Sequence, residues 1–545
     1  MGSGTRGYRD LQEHLDALAE AGLLHRIGEA IDKDAEMHPL VRWQFRGGIA
    51  EADRKAFLFT DITDGKGRKY DIPVAVGGLA ASEAVYSIGM GVAVEDIAAK
   101  WERAIAAPVS PKEIDNAPCH EVVLTGADLQ GEGGGLDALP IPVSTPGFDA
   151  TPTLTATNVI TRDPDTGGQN MGTYRAGLKA PDRLVVRMAT RTGGAEGYLH
   201  WQKYKARGAE MPCAIVLGCP PYVAFMGPQK LPLGLDEMEV AGGLAGEPIN
   251  MVKAKTIDLM VPAEAEVVIE GIIDPMVLEP EGPFGESHGH IALEEFNMPM
   301  RVTAITRKAK PVIPSYISQV TPSESSVIKR VAYEPLFVTH LRDGLGIRGV
   351  KGVSLHEPLT SLLRVTILTV ETGMPKSEIW RALNGASAFK SDMSKIVIAV
   401  DDDIAPTNSD ALLWAISYRS NPVDDMNILA HRGLGHGPKR EHGTDEDGTL
   451  LIDATMKSPM PPLALPGKEY MEHAKDVWER LQLPPLRPEE PWHGYSLGDW
   501  HDRWDADAAR AAKGEYLKNG AETLKRQQPD LVPETSVRDV EDGWD

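Results

Sequence analysis

Cysteine and basic residues are scarce in this 545-residue sequence, and long apolar runs are missing. The thiols are Cys119, Cys213 and Cys219, whose spacing fits no metal site, so the sequence predicts a reducing compartment and no disulfide framework. No run of about 18 apolar residues occurs, which argues against a transmembrane helix. The opening stretch, MGSGTRGYRD, lacks the apolar segment of a secretory signal, so the expected location is the cytoplasm.

Positive charge is also in deficit. The chain has 56 Lys and Arg against 79 Asp and Glu, which gives a formal net charge of -23. Such a field repels phosphate backbones and anionic lipids, so nucleic acid and membrane surfaces are excluded as expected partners. An acidic substrate would need a local basic site. No internal repeat of fixed period is visible, which argues against a repeat architecture.

The length predicts three or four domains at about 150 residues each. A helix is expected from about Leu11, and closely spaced strands separated by Gly and Pro turns fill residues 150–310, which suggests a barrel or split barrel. Later strands alternate with helices, as in an α/β domain. The fold class is therefore mixed α+β and α/β, with predicted domains at 1–120, 121–320 and 321–483, and a tail at 484–545.

Residues 279–290 form the most informative stretch, EPEGPFGESHGH. Its glycines and proline predict a tight turn with little side-chain bulk. Glu281 and Glu286 would then face one cavity, where two confined carboxylates repel and one stays protonated near neutral pH. A retained proton is what a general acid needs. An acidic surface loop is the ordinary alternative, and a metallohydrolase using Glu286, His288 and His290 is a weaker one.

Two further stretches carry polar residues that could bind a carboxylate or a metal cation. NMGTYR, residues 170–175, places Arg175 where it can hold a carboxylate bidentately, and Asn170 where its carbonyl can bind a hard cation. LPLGLDEMEVAGG, residues 231–243, places Glu237 at a predicted helix start. The ordinary alternatives are a surface arginine in a hairpin and solvated acids in a first helical turn.

Together these stretches resemble the UbiD family of decarboxylases over about residues 5–480. The motif Glu281-Gly-Pro-Phe-Gly-Glu286 is the most specific element. The pair Asn170 and Arg175, the DALPIP run at 137–142 and the glutamate at 237 followed by Ala-Gly support it, in family order. The resemblance implies an N-terminal α/β domain, a central split β-barrel like that of flavin reductases, and a C-terminal α/β oligomerisation domain.

The resemblance also implies roles for individual residues. Arg175 would hold the substrate carboxylate, Glu281 would orient Arg175, and Glu286 would donate the proton. The implied metal ligands are Asn170 and Glu237, which would hold a divalent ion such as Mn2+ at the phosphate of prenylated FMN, with K+ nearby. Further residues implied to contact this cofactor are Thr173, Tyr174, Arg187, Met188 and Ala189.

Two positions depart from the family pattern. The histidine that often serves as third metal ligand is absent after the Arg187 strand, which leaves Glu196 or His200 as candidates. A cofactor-facing lysine found in some members aligns with Thr449, and Lys439 or Arg440 would have to compensate.

The reaction implied is reversible, non-oxidative decarboxylation of an aromatic or α,β-unsaturated acid. A flavin prenyltransferase would supply the cofactor, and the chain is expected to form a homodimer or homohexamer. A non-catalytic flavin-binding or assembly subunit is the main alternative, and a hydrolase using His288 and His290 is a third.

Overall fold

The structure is a computed structural model that describes residues 8–188, 195–229, 231, 235–362, 364–390, 393–433, 446–488, 491–527 and 532–533. The chain forms two compact units. The larger unit comprises Met1–Asp402 and Ser420–Ala454, and the smaller comprises Asp403–Arg419 and Thr455–Asp545. The architecture is a mixed α/β fold with several sheets, as predicted, whereas the four predicted domain boundaries remain predictions.

The first helix follows the sequence pattern closely. It spans Leu11–Glu20, and the Asp10 side chain caps it by accepting a hydrogen bond from the Glu13 amide. Leu15 and Leu18 are buried on one face, because residues three or four apart share a side of a helix. The other helices of the larger unit are Met37–Arg46, Glu83–Met90, Ile97–Ala106, Glu196–Arg207, Pro221–Ala224, Glu237–Ala245, Glu324–Thr339 and Lys376–Ala388.

A five-stranded sheet occupies the N-terminal part of the larger unit. Its strands are Leu24–Asp32, Ala56–Thr63, Lys69–Tyr70, Val74–Val76 and Ile313–Ser315. The last of these pairs in parallel with Val74–Val76, so the chain returns to its first sheet after it has built the central one.

The central sheet has ten strands and is the framework of the candidate site. In spatial order its main path is Thr153–Leu154, Ala176–Ala180, Arg183–Val186, Phe296–Arg307, Val267–Ile273, Met211–Leu217, Thr157–Arg162 and Gln169–Gly172. Val122–Thr125 and Glu279–Pro280 pair with the long strand Phe296–Arg307. Alternate side chains enter two apolar cores, as Val159 and Ile160 do, because successive strand residues point to opposite faces.

This sheet curls but does not close into a barrel within the described residues. Thr153–Leu154 lies at one end of the sheet, while Thr157–Arg162 lies next to the other end. Two short segments, residues 155–156 and 173–175, therefore cross the gap between the ends. Arg175 lies in the second of these segments.

Smaller sheets complete the larger unit. One contains Lys112–Glu113, Asn250–Lys253 and Met260–Pro262, and another pairs Phe284–Gly285 with Ile291–Ala292. The C-terminal sheet contains Val350–Leu355, Val365–Val370, Ile396–Asp401, Met426–Gly433 and Glu446–Asp453. Val365–Val370 and Ile396–Asp401 are separated by the helix Lys376–Ala388, which agrees with the expected alternation of later strands and helices.

The smaller unit is helical in the part that the structure describes. Its helices are Ser409–Arg419, Lys468–Arg480, Asp502–Ala512 and Tyr516–Leu524. The last three contain no buried residue. The tail contains two separate helices at its end, because Gly514 adopts φ +77° and ends the first of them.

Among the described residues, no helix has both the length and the apolar character needed to cross a bilayer. Cys119, Cys213 and Cys219 are buried free thiols, which agrees with the expectation of no disulfide framework.

Candidate active site

Arg175 lies between two glutamates that are distant in sequence. Its Nε and Nη2 atoms donate to the two carboxylate oxygens of Glu281, at 2.6 and 3.0 Å. Its Nη1 donates to Glu286 Oε1 at 2.5 Å. All three side chains are almost entirely buried. The structure therefore brings Arg175, Glu281 and Glu286 into one charge cluster at the seam of the central sheet.

The turn between the two glutamates is shaped by close backbone approach. Gly282 adopts φ +92°, and a Cβ there would lie 2.7 Å from the Cβ of Ala150. A Cβ at Gly285 would lie 2.3 Å from Thr145 Oγ1. The segment at 145–150 thus packs so tightly against the turn that a side chain at either position would have to displace its neighbours, which explains the glycines of the motif.

Neighbouring groups reinforce the cluster. Asn297 donates to Glu281 Oε2 at 3.2 Å, and the Arg175 guanidinium lies 4.3 Å from the ring centre of Phe284. Burial alone would lower the pKa of Arg175, but the charges of Glu286 and Glu281 outweigh burial and raise it. Arg175 therefore remains a cation in this dry environment.

The arrangement refines the expected carboxylate pair. Glu281 and Glu286 do not simply repel each other, because Arg175 lies between them and bonds to both. A second guanidinium, that of Arg187, lies 3.6 Å from Glu286 Oε1 and 3.4 Å from Glu295 Oε2. The surface-loop alternative does not describe these glutamates, since both are buried.

The two histidines of the motif do not form a metal centre in the described structure. The ring centres of His288 and His290 are 5.6 Å apart, with His288 buried and His290 exposed. The described residues contain no group of three or more His, Cys, Asp or Glu side chains suited to a metal ion. The hydrolase alternative therefore gains no support.

Most residues expected to contact a cofactor lie side by side along the same seam. The Thr173 amide donates to the Gly227 carbonyl at 3.1 Å, and the Arg187 amide donates to the Arg175 carbonyl at 3.0 Å. The Tyr174 ring and the Met188 sulfur both pack against Gly197, where a Cβ would lie 2.9 and 3.3 Å from them. Ala189 falls outside the described residues.

Asn170 and Glu237, the expected metal ligands, both line a cavity of about 340 Å³. Asn170 is buried, and its Nδ2 has no hydrogen-bond partner. Because the two ends of an amide are interchangeable at fixed shape, that end can present the carbonyl oxygen to a cation. Burial raises the pKa of Glu237 to about 7, and the charges of Asp236 and Glu196 add to this effect. An unpaired amide and a desolvated carboxylate fit the needs of a hard cation.

The candidates for a third metal ligand lie in different surroundings. Glu196 begins the helix Glu196–Arg207 and is close enough to Glu237 to influence its pKa. His200 is buried and pairs through Nδ1 with Thr161 Oγ1 at 2.9 Å. This bond uses one ring nitrogen only, so it does not decide between Glu196 and His200.

Thr449 is buried within the strand Glu446–Asp453, where it pairs with Leu429. Lys439 and Arg440, the proposed substitutes for the missing lysine, lie outside the described residues.

Sequence reasoning missed two residues that contact the cluster, Phe284 and Asn297, and a third, Asp149, that bonds to the turn between the glutamates. Phe284 lies inside the Glu281–Glu286 motif, so its position beside Arg175 could have been predicted from the motif. Asn297 and Asp149 carry no local signal, because one begins a long strand and the other lies in a loop more than 130 residues before the turn that it contacts.

A buried arginine shared by two glutamates lies at the seam of the central sheet. Comparisons with known proteins identify the family. The profile of the 3-octaprenyl-4-hydroxybenzoate carboxy-lyase Rift-related domain matches residues 112–320, and that of the C-terminal domain of the same enzyme matches residues 327–454. The chain therefore belongs to the UbiD family and is a carboxy-lyase of that family.

Solved structures and a full-length relative are consistent with this. The UbiD-class enzyme HmfF from Pelotomaculum thermopropionicum in complex with FMN is 28% identical, with a TM-score of 0.73, covering 86% of this chain and 99% of that one. An evolved dimeric form of HmfF with prFMN is 29% identical, with a TM-score of 0.70, covering 82% and 95%. An uncharacterized protein of Synechocystis is 28% identical over 524 residues, or 90% of this chain and 97% of that one.

Proposed function

We propose that this enzyme decarboxylates an aromatic or α,β-unsaturated carboxylic acid, reversibly and without net oxidation, with prenylated FMN as its cofactor. The observation that carries the proposal is the contact of Arg175 with both Glu281 and Glu286 at 2.5–3.0 Å in a buried seam. A screen of CO2 release over aromatic and acrylic acids with cofactor-loaded enzyme tests it. Absence of release from every acid, in protein of full cofactor content, would contradict it.

Arg175 is suited to hold the substrate carboxylate. A guanidinium has five N–H donors, and the contacts with Glu281 and Glu286 use three of them. The remaining two, one on Nη1 and one on Nη2, form a planar fork that fits a carboxylate. Because Glu281 takes the Nε–Nη2 edge of the guanidinium, a substrate bound at the remaining Nη1 and Nη2 hydrogens does not displace that pair. Glu281 thus sets the orientation of Arg175.

Glu286 is suited to donate the proton that replaces CO2. It lies on the other side of Arg175 from Glu281, next to the position where a carboxylate held by Arg175 would lie. Its burial excludes the bulk water that would otherwise compete as a proton source.

Prenylated FMN, when bound, supplies the electron sink that charge at an sp2 carbon requires and that side chains cannot provide. The HmfF structures contain FMN or prFMN. In this chain Thr173, Tyr174, Arg187, Met188 and Ala189 would surround the cofactor. Asn170 and Glu237 would bind a divalent ion such as Mn2+ at its phosphate, with K+ nearby.

Protein produced without a flavin prenyltransferase is expected to release no CO2, and co-expression of that enzyme is expected to restore activity. The physical reason is that unmodified FMN lacks the electron sink that the reaction needs. Absorbance spectra of the two preparations report which flavin is bound. Full activity in flavin-free protein would contradict the proposal.

Exchange of Asn170 or Glu237 for alanine is expected to lower cofactor occupancy while the melting temperature stays close to that of the wild type. Each change removes a ligand and little apolar packing. Flavin absorbance per protein and bound metal, measured by mass spectrometry, check this. Glu239→Ala is the matched control, because Glu239 lies in the first turn of the same helix. Equal flavin content in wild type and both variants would show that the site is misplaced.

The chain is expected to form a homodimer or a homohexamer, with residues after about 484 at the subunit contacts. The tail leaves large side chains exposed, among them Trp500, Trp504, Tyr516 and Leu517, at 37–73%. Apolar surface of this kind is commonly covered by another subunit. Light scattering at micromolar concentration checks the mass, and a monomer there would contradict the expectation.

A further inference from the structure

Asp149 connects the loop at 145–150 to the turn that carries Glu286. Its Oδ1 accepts a hydrogen bond from the Gly285 amide at 2.9 Å, and its Oδ2 accepts one from the Thr145 amide at 2.7 Å. The next residue, Ala150, donates its amide to the Pro283 carbonyl at 3.2 Å. Two bonds thus join the loop and the turn, and one of them ends at the residue directly before Glu286.

The contact between the loop and the turn allows little adjustment. Thr145 Oγ1 occupies the space that a Cβ of Gly285 would need, and Ala150 does the same at Gly282. The charge of Arg175 also acts on Asp149, which is half-buried. Asp149 therefore lies close to the cluster, although it has no part in the chemistry described above.

We propose that Asp149 is a positioning residue for the proton donor, which holds the amide of Gly285 and thereby fixes the Glu286 carboxyl against Arg175 and the substrate. This inference rests on the proposed role of Glu286. A carboxylate suits the task because it accepts both backbone N–H groups at once. A displacement of about 1 Å in a reacting group can cost 10²-fold in rate, so a bond at the adjacent residue matters.

Asp149→Asn tests the proposal in cofactor-loaded enzyme. The side-chain amide can accept from only one of the two backbone donors, because its NH2 end faces the other. We expect kcat to fall about 10- to 100-fold, with KM and flavin content within about twofold of the wild type. Solvent-deuterium incorporation into the product should slow in parallel with CO2 release.

Asp64→Asn is the matched control. Asp64 is buried and accepts two backbone N–H groups, from Lys66 and Arg68, at Oδ1, while its Oδ2 accepts from the Arg68 and Tyr70 side chains, in a turn of the N-terminal sheet. Within the described residues, its side-chain hydrogen bonds go to Lys66, Arg68 and Tyr70 and not to the turn that carries Glu286. This variant should lower the melting temperature and leave kcat unchanged, as expected for a carboxylate that serves only the fold.

A double-mutant cycle separates positioning from general disruption. If Asp149 acts through Glu286, then Asp149→Asn should lower the single-turnover rate of product formation by less than about threefold when Glu286→Gln is already present. Additive losses in the cycle, or wild-type kcat in Asp149→Asn, would overturn the proposal. Wild-type kcat in Glu286→Gln would instead refute the acid role itself, so the two failures are distinguishable.

Gly285→Ala provides a second route if Asp149→Asn does not yield folded holoenzyme. Its methyl group would press on Thr145 and displace the same turn while Asp149 stays intact. The same loss of kcat and the same lack of additivity with Glu286→Gln are expected. A loss that is additive with Glu286→Gln would overturn the proposal here as well.

Discussion

Glu286→Gln is expected to lower turnover by about 10²- to 10⁴-fold, the range typical of a lost general acid. Glutamine keeps the shape of the side chain and the oxygen that accepts the 2.5 Å bond from Arg175 Nη1. It has no acidic proton to deliver and recover in each cycle. Substrate and cofactor should therefore still bind. Steady-state CO2 release and solvent-deuterium incorporation into the product are the measurements.

Glu281→Gln should change KM and kcat in a different way from Glu286→Gln, which tests whether the two glutamates have separate roles. Glutamine can accept only one of the two N–H groups that Arg175 now donates to Glu281, so the guanidinium loses its fixed orientation. The expected result is a raised KM together with a smaller loss of kcat. Glu279→Gln is the control, because Glu279 pairs with Arg183 outside the cluster. Near-wild-type turnover in Glu286→Gln would remove the acid role.

The order of elements in this fold could be predicted wherever periodicity was strong. The N-terminal helix, the strand Val267–Ile273 and the helix from Ser409 all follow from local patterns. The pairing of distant segments could not be predicted in this way. Nothing local indicates that Ile313–Ser315 joins the first sheet beside Val74–Val76, because that pairing depends on the path of 236 intervening residues.

The candidate site shows the same limit. The chemistry of Arg175, Glu281 and Glu286 could be predicted from residue types and glycine spacing, since a tight turn requires residues without bulk. The ion pairs among them join positions 106 and 111 residues apart, so their geometry needed the structure. Asn297 and Asp149 were missed because a single polar residue in a strand or loop resembles many others that serve only the fold.

Removal of the Arg175 charge should have the largest effect on stability. Arg175→Met leaves two carboxylates facing each other in a buried space, and loss of one partner of a buried ion pair costs about 3–5 kcal/mol. Low pH protonates carboxylates and relieves their repulsion, so the deficit relative to wild type should be smaller at about pH 5 than at about pH 8. Urea unfolding of both proteins at the two pH values measures it.

Activity and stability should respond differently when the charges of Glu281 and Glu286 are removed together with that of Arg175. Arg175→Met combined with Glu281→Gln and Glu286→Gln leaves no buried charge in the cluster, so most of the lost stability should return. Decarboxylation should not return, because neither the carboxylate-binding fork nor the proton donor is present. Arg175→Lys completes the comparison, since a lysine keeps the charge but cannot bond to both glutamates and a substrate in one plane. If the single Arg175→Met variant were as stable as the wild type at both pH values, that result would contradict the presence of a buried Glu–Arg–Glu cluster.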